Sequence, residues 1–150
     1  MSQVQRHTAE QGRILVSDAA YAGIVDTLRE AVPDLIAVYL FGSSAQGQRH
    51  QESDVDVAVL AAQPLSPETR WTLQERLADQ LHADVDLVDL RTASTVMRAQ
   101  VFSSDIVLYE TDTTARQRFE MHALSMYADL NETRAAILED IHQRGRVYGR

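Results

Sequence analysis

The chain contains no cysteine. That excludes a disulfide framework, a thiolate zinc site and a cysteine nucleophile. Lysine is absent too, since all 14 basic residues are arginine. Whatever the origin of that bias, no Walker-type lysine, Schiff base or lysine–nucleotide intermediate is available. No apolar run approaches the roughly 20 residues of a membrane span. The opening stretch, MSQVQRHTAEQGR, lacks the apolar core of a signal peptide. We therefore expect a cytoplasmic protein that does not enter a membrane. Positive charge is also in deficit, with a formal net charge of −8. A surface of that sign repels a polyphosphate backbone, so strong direct nucleic-acid binding is not expected. It leaves room for a local basic pocket for one nucleotide, or for a basic protein partner.

What is present points to one domain. The chain has 150 residues and 45% apolar content, enough to bury roughly two-thirds of its unfolded surface. Residues 1–13 are polar and expected to be loosely ordered. Ser17 or Asp18 can cap a helix running to about Val32, where Pro33 ends it. Leu35 to Phe41 is a continuous apolar run and reads as a buried strand, followed by a turn from Gly42 to Gly47. Val55 to Ala61 is a second strand, Ser66 starts a helix to about Leu81, and Ala83 to Leu90 is a third strand. A short helix over Thr92 to Phe102 and a short strand over Ile106 to Tyr109 follow. From Thr113 the pattern is helical, with Asn131 a candidate point of division into two helices. Strands interleaved with helices imply a single layered α/β or α+β domain. Its core covers about residues 18–110, and a helical C-terminal segment covers about 112–148.

The second strand carries chemistry. Asp54 and Asp56 are two apart at its start, so their side chains share one face. Two such charges repel, and each raises the other's pKa. Exposure to water or a bound divalent cation can offset this. In the third strand Asp86 lies between Val85 and Leu87. A carboxylate inside an apolar strand costs several kcal/mol unless it is paired or metal-bound. Asp84 has the same parity but sits at the strand's entrance, and Asp89 has the opposite parity. Asp86 is therefore the third candidate ligand, with a salt bridge to an arginine as the alternative. Three carboxylates suit a hard cation such as Mg²⁺. Two such ions about 4 Å apart can serve a phosphoryl displacement. Before the second strand, Gly42 leaves room for a phosphate to approach the backbone, Ser43 offers a hydroxyl donor, and Gly47 permits a positive φ.

Phe41-Gly42-Ser43, ten further residues, then Asp54-Val55-Asp56-Val57 and a later Asp86 resemble the signature of nucleotidyltransferases related to DNA polymerase β. The likeness is closer to the small minimal nucleotidyltransferases, the MntA-like antitoxins. It runs through Gly42-Ser43-Ser44-Ala45-Gln46-Gly47, Ser53-Asp54-Val55-Asp56, VDLVDLRTAS, VLYE and YADLNETRAAILEDI. Gln46 stands where that core carries an arginine.

The resemblance implies a polymerase β-like palm, a small mixed sheet flanked by helices with a helical C-terminal segment. It implies an antitoxin that transfers AMP from ATP to a tyrosine of a cognate HEPN ribonuclease toxin, within a hetero-oligomeric complex. Asp54, Asp56 and Asp86 would be the catalytic and Mg²⁺-binding residues, holding a pair of ions; Gly42, Ser43 and Gly47 would bind nucleotide. The alternatives are an antitoxin acting by occlusion alone and a small-molecule nucleotidyltransferase, which usually needs a larger second domain. His50 and the arginines Arg98, Arg116 and Arg118 are weaker candidates for nucleotide or partner contact, with solvated positions the simpler reading. Trp71 and the aromatics from Phe119 to Tyr127 read as core or interface.

Overall fold

The computed structural model describes residues 12–15, 18–42, 54–104 and 106–148. In chain order the elements are β1 (Arg13–Ile14), α1 (Ala19–Ala31), β2 (Leu35–Phe41), β3 (Val55–Ala61), α2 (Pro67–Leu81), β4 (Val85–Asp89), α3 (Thr95–Ser103), β5 (Ile106–Glu110) and α4 (Thr113–Tyr148).

The helix starts follow side-chain chemistry. Asp18 accepts from the N–H groups of Ala20 and Tyr21 at 2.8 and 3.3 Å. Ser66 accepts from Thr69 N–H at 3.1 Å, with Pro67 in the first turn where no N–H is needed. Ser94 accepts from Met97 N–H at 3.1 Å. This explains why α3 begins at Thr95 and not at Thr92. The N–H groups of Thr92 and Ala93 instead turn back to the carbonyl of Asp89.

The strands form one mixed sheet in the order β1-β5-β2-β3-β4. All pairs are antiparallel except β3 with β4, which the crossover helix α2 makes parallel. Val55, Val57 and Val59 pack with Val38, Leu40 and Leu87 beneath α1 and α2, against Ile24, Leu28, Leu73 and Leu77. The alternate residues Ala58 and Leu60 pack with Ala37, Tyr39 and Phe41 on the other face, against Val101 of α3 and the flanking Met97, Phe102 and Phe119. Strand parity therefore places Asp56, two residues before Ala58, on the α3 face.

Two expectations change and a third narrows. Arg13 belongs to a strand that pairs with Glu110, so order begins earlier than the polar N-terminal composition implied. Asn131 does not divide the last segment: α4 runs unbroken for 36 residues. Asn costs a helix well under 1 kcal/mol against Ala, and no Gly or Pro lies between Thr113 and Arg144 to break it. Of the two readings for Trp71, core or interface, its 56% exposure on α2 sets aside only the first. Among the described residues no helix is long and apolar enough to cross a membrane.

Candidate active site

Three strands bring the site together. Phe41, at the end of β2, is the register partner of Asp56 on β3. Asp56 is in turn the register partner of Asp86 on β4. The two aspartates therefore stand abreast on neighbouring strands about 4.8 Å apart, on the face toward α3. Asp54 sits at the entrance of β3, exposed and close enough that its charge acts on Asp56. Burial, then Asp86, then Asp54 push the Asp56 carboxyl above its ordinary pKa.

Gly42 is held against this pair. Its φ is +69°, a conformation that costs other residues roughly 1–2 kcal/mol. A Cβ built there would collide with Asp56 Oδ2 and lie 3.1 Å from Asp56 Cγ. The backbone of Gly42 thus occupies the space directly over the Asp56 carboxylate. Ser43, Gln46, Gly47 and His50 lie outside the described residues.

The row opens into a cleft of about 610 Å³, with Phe41, Gly42, Asp56 and Asp86 on the sheet side and Met97, Gln100, Ser103 and Ser104 on α3. That volume suits a small ligand. Ser104 Oγ donates to the Leu40 carbonyl at 3.0 Å, which pins the end of α3 to β2. The α3 wall was not foreseen. Its residues lie on an ordinary amphipathic helix, and only the chain's return over the sheet brings them to the aspartates.

Asp86 is exposed, not buried in an apolar strand. β4 is the sheet edge, and parity turns Asp86 away from the α2 core. The argument from burial therefore fails for Asp86, although its place beside Asp56 stands. Among the described residues no ion pair reaches it. The buried carboxylate of β4 is Asp89, 4% exposed. It accepts from Leu65 N–H at 2.8 Å and Arg91 N–H at 3.0 Å and so fixes the loops around β4. Of the candidate arginines, Arg98 and Arg116 are structural, and Arg118 is exposed on α4 as expected of a solvated position. Arg98 donates to the carbonyls of Leu90 and Arg91 and lies over the Phe119 ring at 5.0 Å. Arg116 is not solvated and does not line the cleft: it bonds Glu110 and Glu120, each at 2.7 Å.

The donor set is wholly carboxylate oxygen, which suits a hard cation such as Mg²⁺. Among the described residues no three such side chains close into a cage. An open row fits Mg²⁺, which keeps waters and substrate phosphates in its shell.

A mixed sheet with paired strand carboxylates, a glycine turn against them and a nucleotide-sized cleft defines a nucleotidyltransferase palm. The chain belongs to the family described as polymerase beta, nucleotidyltransferase, whose model matches residues 23–114. It is 45% identical over 118 residues to the protein adenylyltransferase MntA of Shewanella oneidensis, across 79% of this chain and 84% of that protein. It is similar to a chain in a crystal structure of a toxin–antitoxin with AMP-PNP, at a TM-score of 0.72 and 41% identity, covering 81% of this chain and 98% of the other. It is also similar to a chain in the complex of tri-AMPylated Shewanella oneidensis HEPN toxin with MNT antitoxin, at a TM-score of 0.67 and 38% identity, covering 82% and 96%.

Proposed function

We propose that this nucleotidyltransferase is a cytoplasmic antitoxin that transfers AMP from ATP to a tyrosine of a cognate HEPN ribonuclease toxin, in a Mg²⁺-dependent reaction that silences the toxin. The observation that carries the reading is the row of Asp56 and Asp86 at the floor of the cleft, with the Gly42 backbone laid on Asp56. The tri-AMPylated toxin in the Shewanella oneidensis complex supports a protein acceptor.

Asp54, Asp56 and Asp86 would hold the ions, a pair as in other phosphoryl transferases. Bound there, Mg²⁺ would neutralise the triphosphate and stabilise the charge that develops on transfer. The residues of the chain do the positioning. Gly42, with Ser43 and Gly47 beyond the described region, would cradle the β- and γ-phosphates with backbone N–H groups. The acceptor oxygen bonds to the α-phosphorus as the bond to pyrophosphate breaks. Asp86, exposed at the sheet edge, is open to the incoming hydroxyl and takes up its proton directly or through water. No enzyme nucleophile is required, in keeping with a chain that lacks Cys and Lys.

The test combines the protein, Mg²⁺, labelled ATP and a candidate HEPN partner. Label should appear on a partner tyrosine. Asp54→Asn should abolish labelling while leaving the circular dichroism spectrum unchanged. An unlabelled partner, with both proteins folded, would sink the proposal. Full neutralisation by Asp54→Asn/Asp56→Asn would shift it to occlusion.

A further inference from the structure

The cleft changes character across its width. Its sheet side is anionic, with Asp56 and Asp86. Its α3 wall carries no charge. Ser104 Oγ is committed to the carbonyls of Leu40 and Val101, at 3.0 and 2.6 Å. Ser103 Oγ is committed to the Gln100 carbonyl at 2.9 Å. Among the described residues no hydrogen bond takes up the Gln100 side-chain amide, which is exposed and lines the cleft. Beside it stands Met97, partly buried, whose thioether suits the face of a flat ring.

A nucleoside triphosphate divides in the same way. Its phosphates belong with the cations at the aspartates. Its base is flat and uncharged, with an apolar face and an edge of neutral donors and acceptors. With the Ser103 and Ser104 hydroxyl protons committed, Gln100 is the α3 wall side chain that still offers a donor and an acceptor together. An amide pairs in bidentate fashion with the 6-amino group and adjacent ring nitrogen of adenine. Guanine presents two acceptors there, and the amide carbonyl would face one of them.

Resting on the reading that this site takes ATP, we propose that Gln100 reads the base, selecting a 6-aminopurine over a 6-oxopurine, with Met97 packed against the ring.

The experiment is calorimetric binding of AMP-PNP and GMP-PNP, each with Mg²⁺, to the full-length protein without a partner. Gln100 lies exposed on a helix, and Ala is a good helix former, so Gln100→Ala should fold as the parent does. It should weaken AMP-PNP binding about tenfold while GMP-PNP binding stays unchanged, so that the preference narrows by the same factor. Met97→Ala should weaken both nucleotides alike. Unchanged AMP-PNP affinity in Gln100→Ala, or equal loss for both nucleotides, overturns the proposal. If the parent binds neither nucleotide, this proposal and the proposed function fall together. A selective loss in a protein that labels no partner upholds base reading and removes only the proposed function.

Discussion

At the scale of single residues, the site rests on a tension between Gly42 and Asp56. The glycine is there for two reasons that act together: a φ of +69° and a Cβ position filled by the Asp56 carboxylate. Gly42→Ala should therefore lower stability by about 1–2 kcal/mol from the backbone alone. It should also displace Asp56 and remove AMP transfer. Urea denaturation and the transfer assay check the two parts separately, and an active Gly42→Ala would show that the Asp56 position is not critical. The aspartates carry the converse cost. Asp56 is partly desolvated and faces Asp86 and Asp54. In protein stripped of divalent ions, Asp56→Asn should raise the Tm at neutral pH by relieving that repulsion. Mg²⁺ should raise the Tm of the parent and leave that of the variant unmoved. A variant no more stable than its parent would mean that the three charges are well screened by water.

At the scale of elements, legibility depended on how local the signal was. β2 and β3 match their expected spans residue for residue, because β2 is a continuous apolar run and β3 is apolar at every position but Asp56, and Ser66 and Pro67 mark the start of α2. β1 has two residues and no periodicity to read. Parity pairs Asp54 with Asp56, and the charge of Asp54 does act on Asp56. Asp86 was reached through burial that it lacks, and it joins Asp56 only because α2 makes β3 and β4 parallel in that register. The α3 wall and the junction of β5 with α4 are long-range outcomes and left no mark on the local pattern. In that junction Glu110 is 5% exposed, and Arg13, Arg116 and Thr113 bond it. Burial opposes its charge, but the bonds from Arg116, Arg13 and Thr113 outweigh burial and hold its pKa below the usual Glu value. A lowered carboxylate pKa gives stability that is present above the unfolded value and lost as pH falls through the folded one. The contribution should thus be whole at about pH 5–7 and fall away progressively as pH drops below the unfolded Glu value near 4.3 and through the lower folded one. Arg116→Leu leaves the buried carboxylate with the exposed Arg13, at a cost of about 3–5 kcal/mol. Urea unfolding from pH 3 to 7 should show that cost near neutrality and a much smaller one in acid. An equal loss at every pH would assign the effect to packing against Glu120 and Tyr39 instead.

At the scale of the whole molecule, the chain divides into a packed body and a projecting arm. The first turns of α4 are tied to the sheet: Tyr39 OH donates to Glu120 at 2.8 Å, Phe119 packs on Phe102, and Ala123 is buried. Tyr127 and Leu130 are half-buried, and every described side chain from 131 to 144 is exposed. Ile137, Leu138 and Ile141 are each more than half exposed. Side chains that leave no surface buried add little to folding stability, and an isolated helix of that length is marginal in water. The cleft lies between the sheet and α3, so the arm is no part of its walls. Ending the chain after Leu130 should then leave the Tm within about 2 °C of the parent, because the lost contacts amount to well under 1 kcal/mol. AMP-PNP affinity should be unchanged, while helical ellipticity falls by the share of the missing turns. Calorimetry, nucleotide titration and circular dichroism on the same sample separate these outcomes. A large drop in Tm would show that the arm folds back onto the body, and a drop in nucleotide affinity alone would place the arm over the cleft.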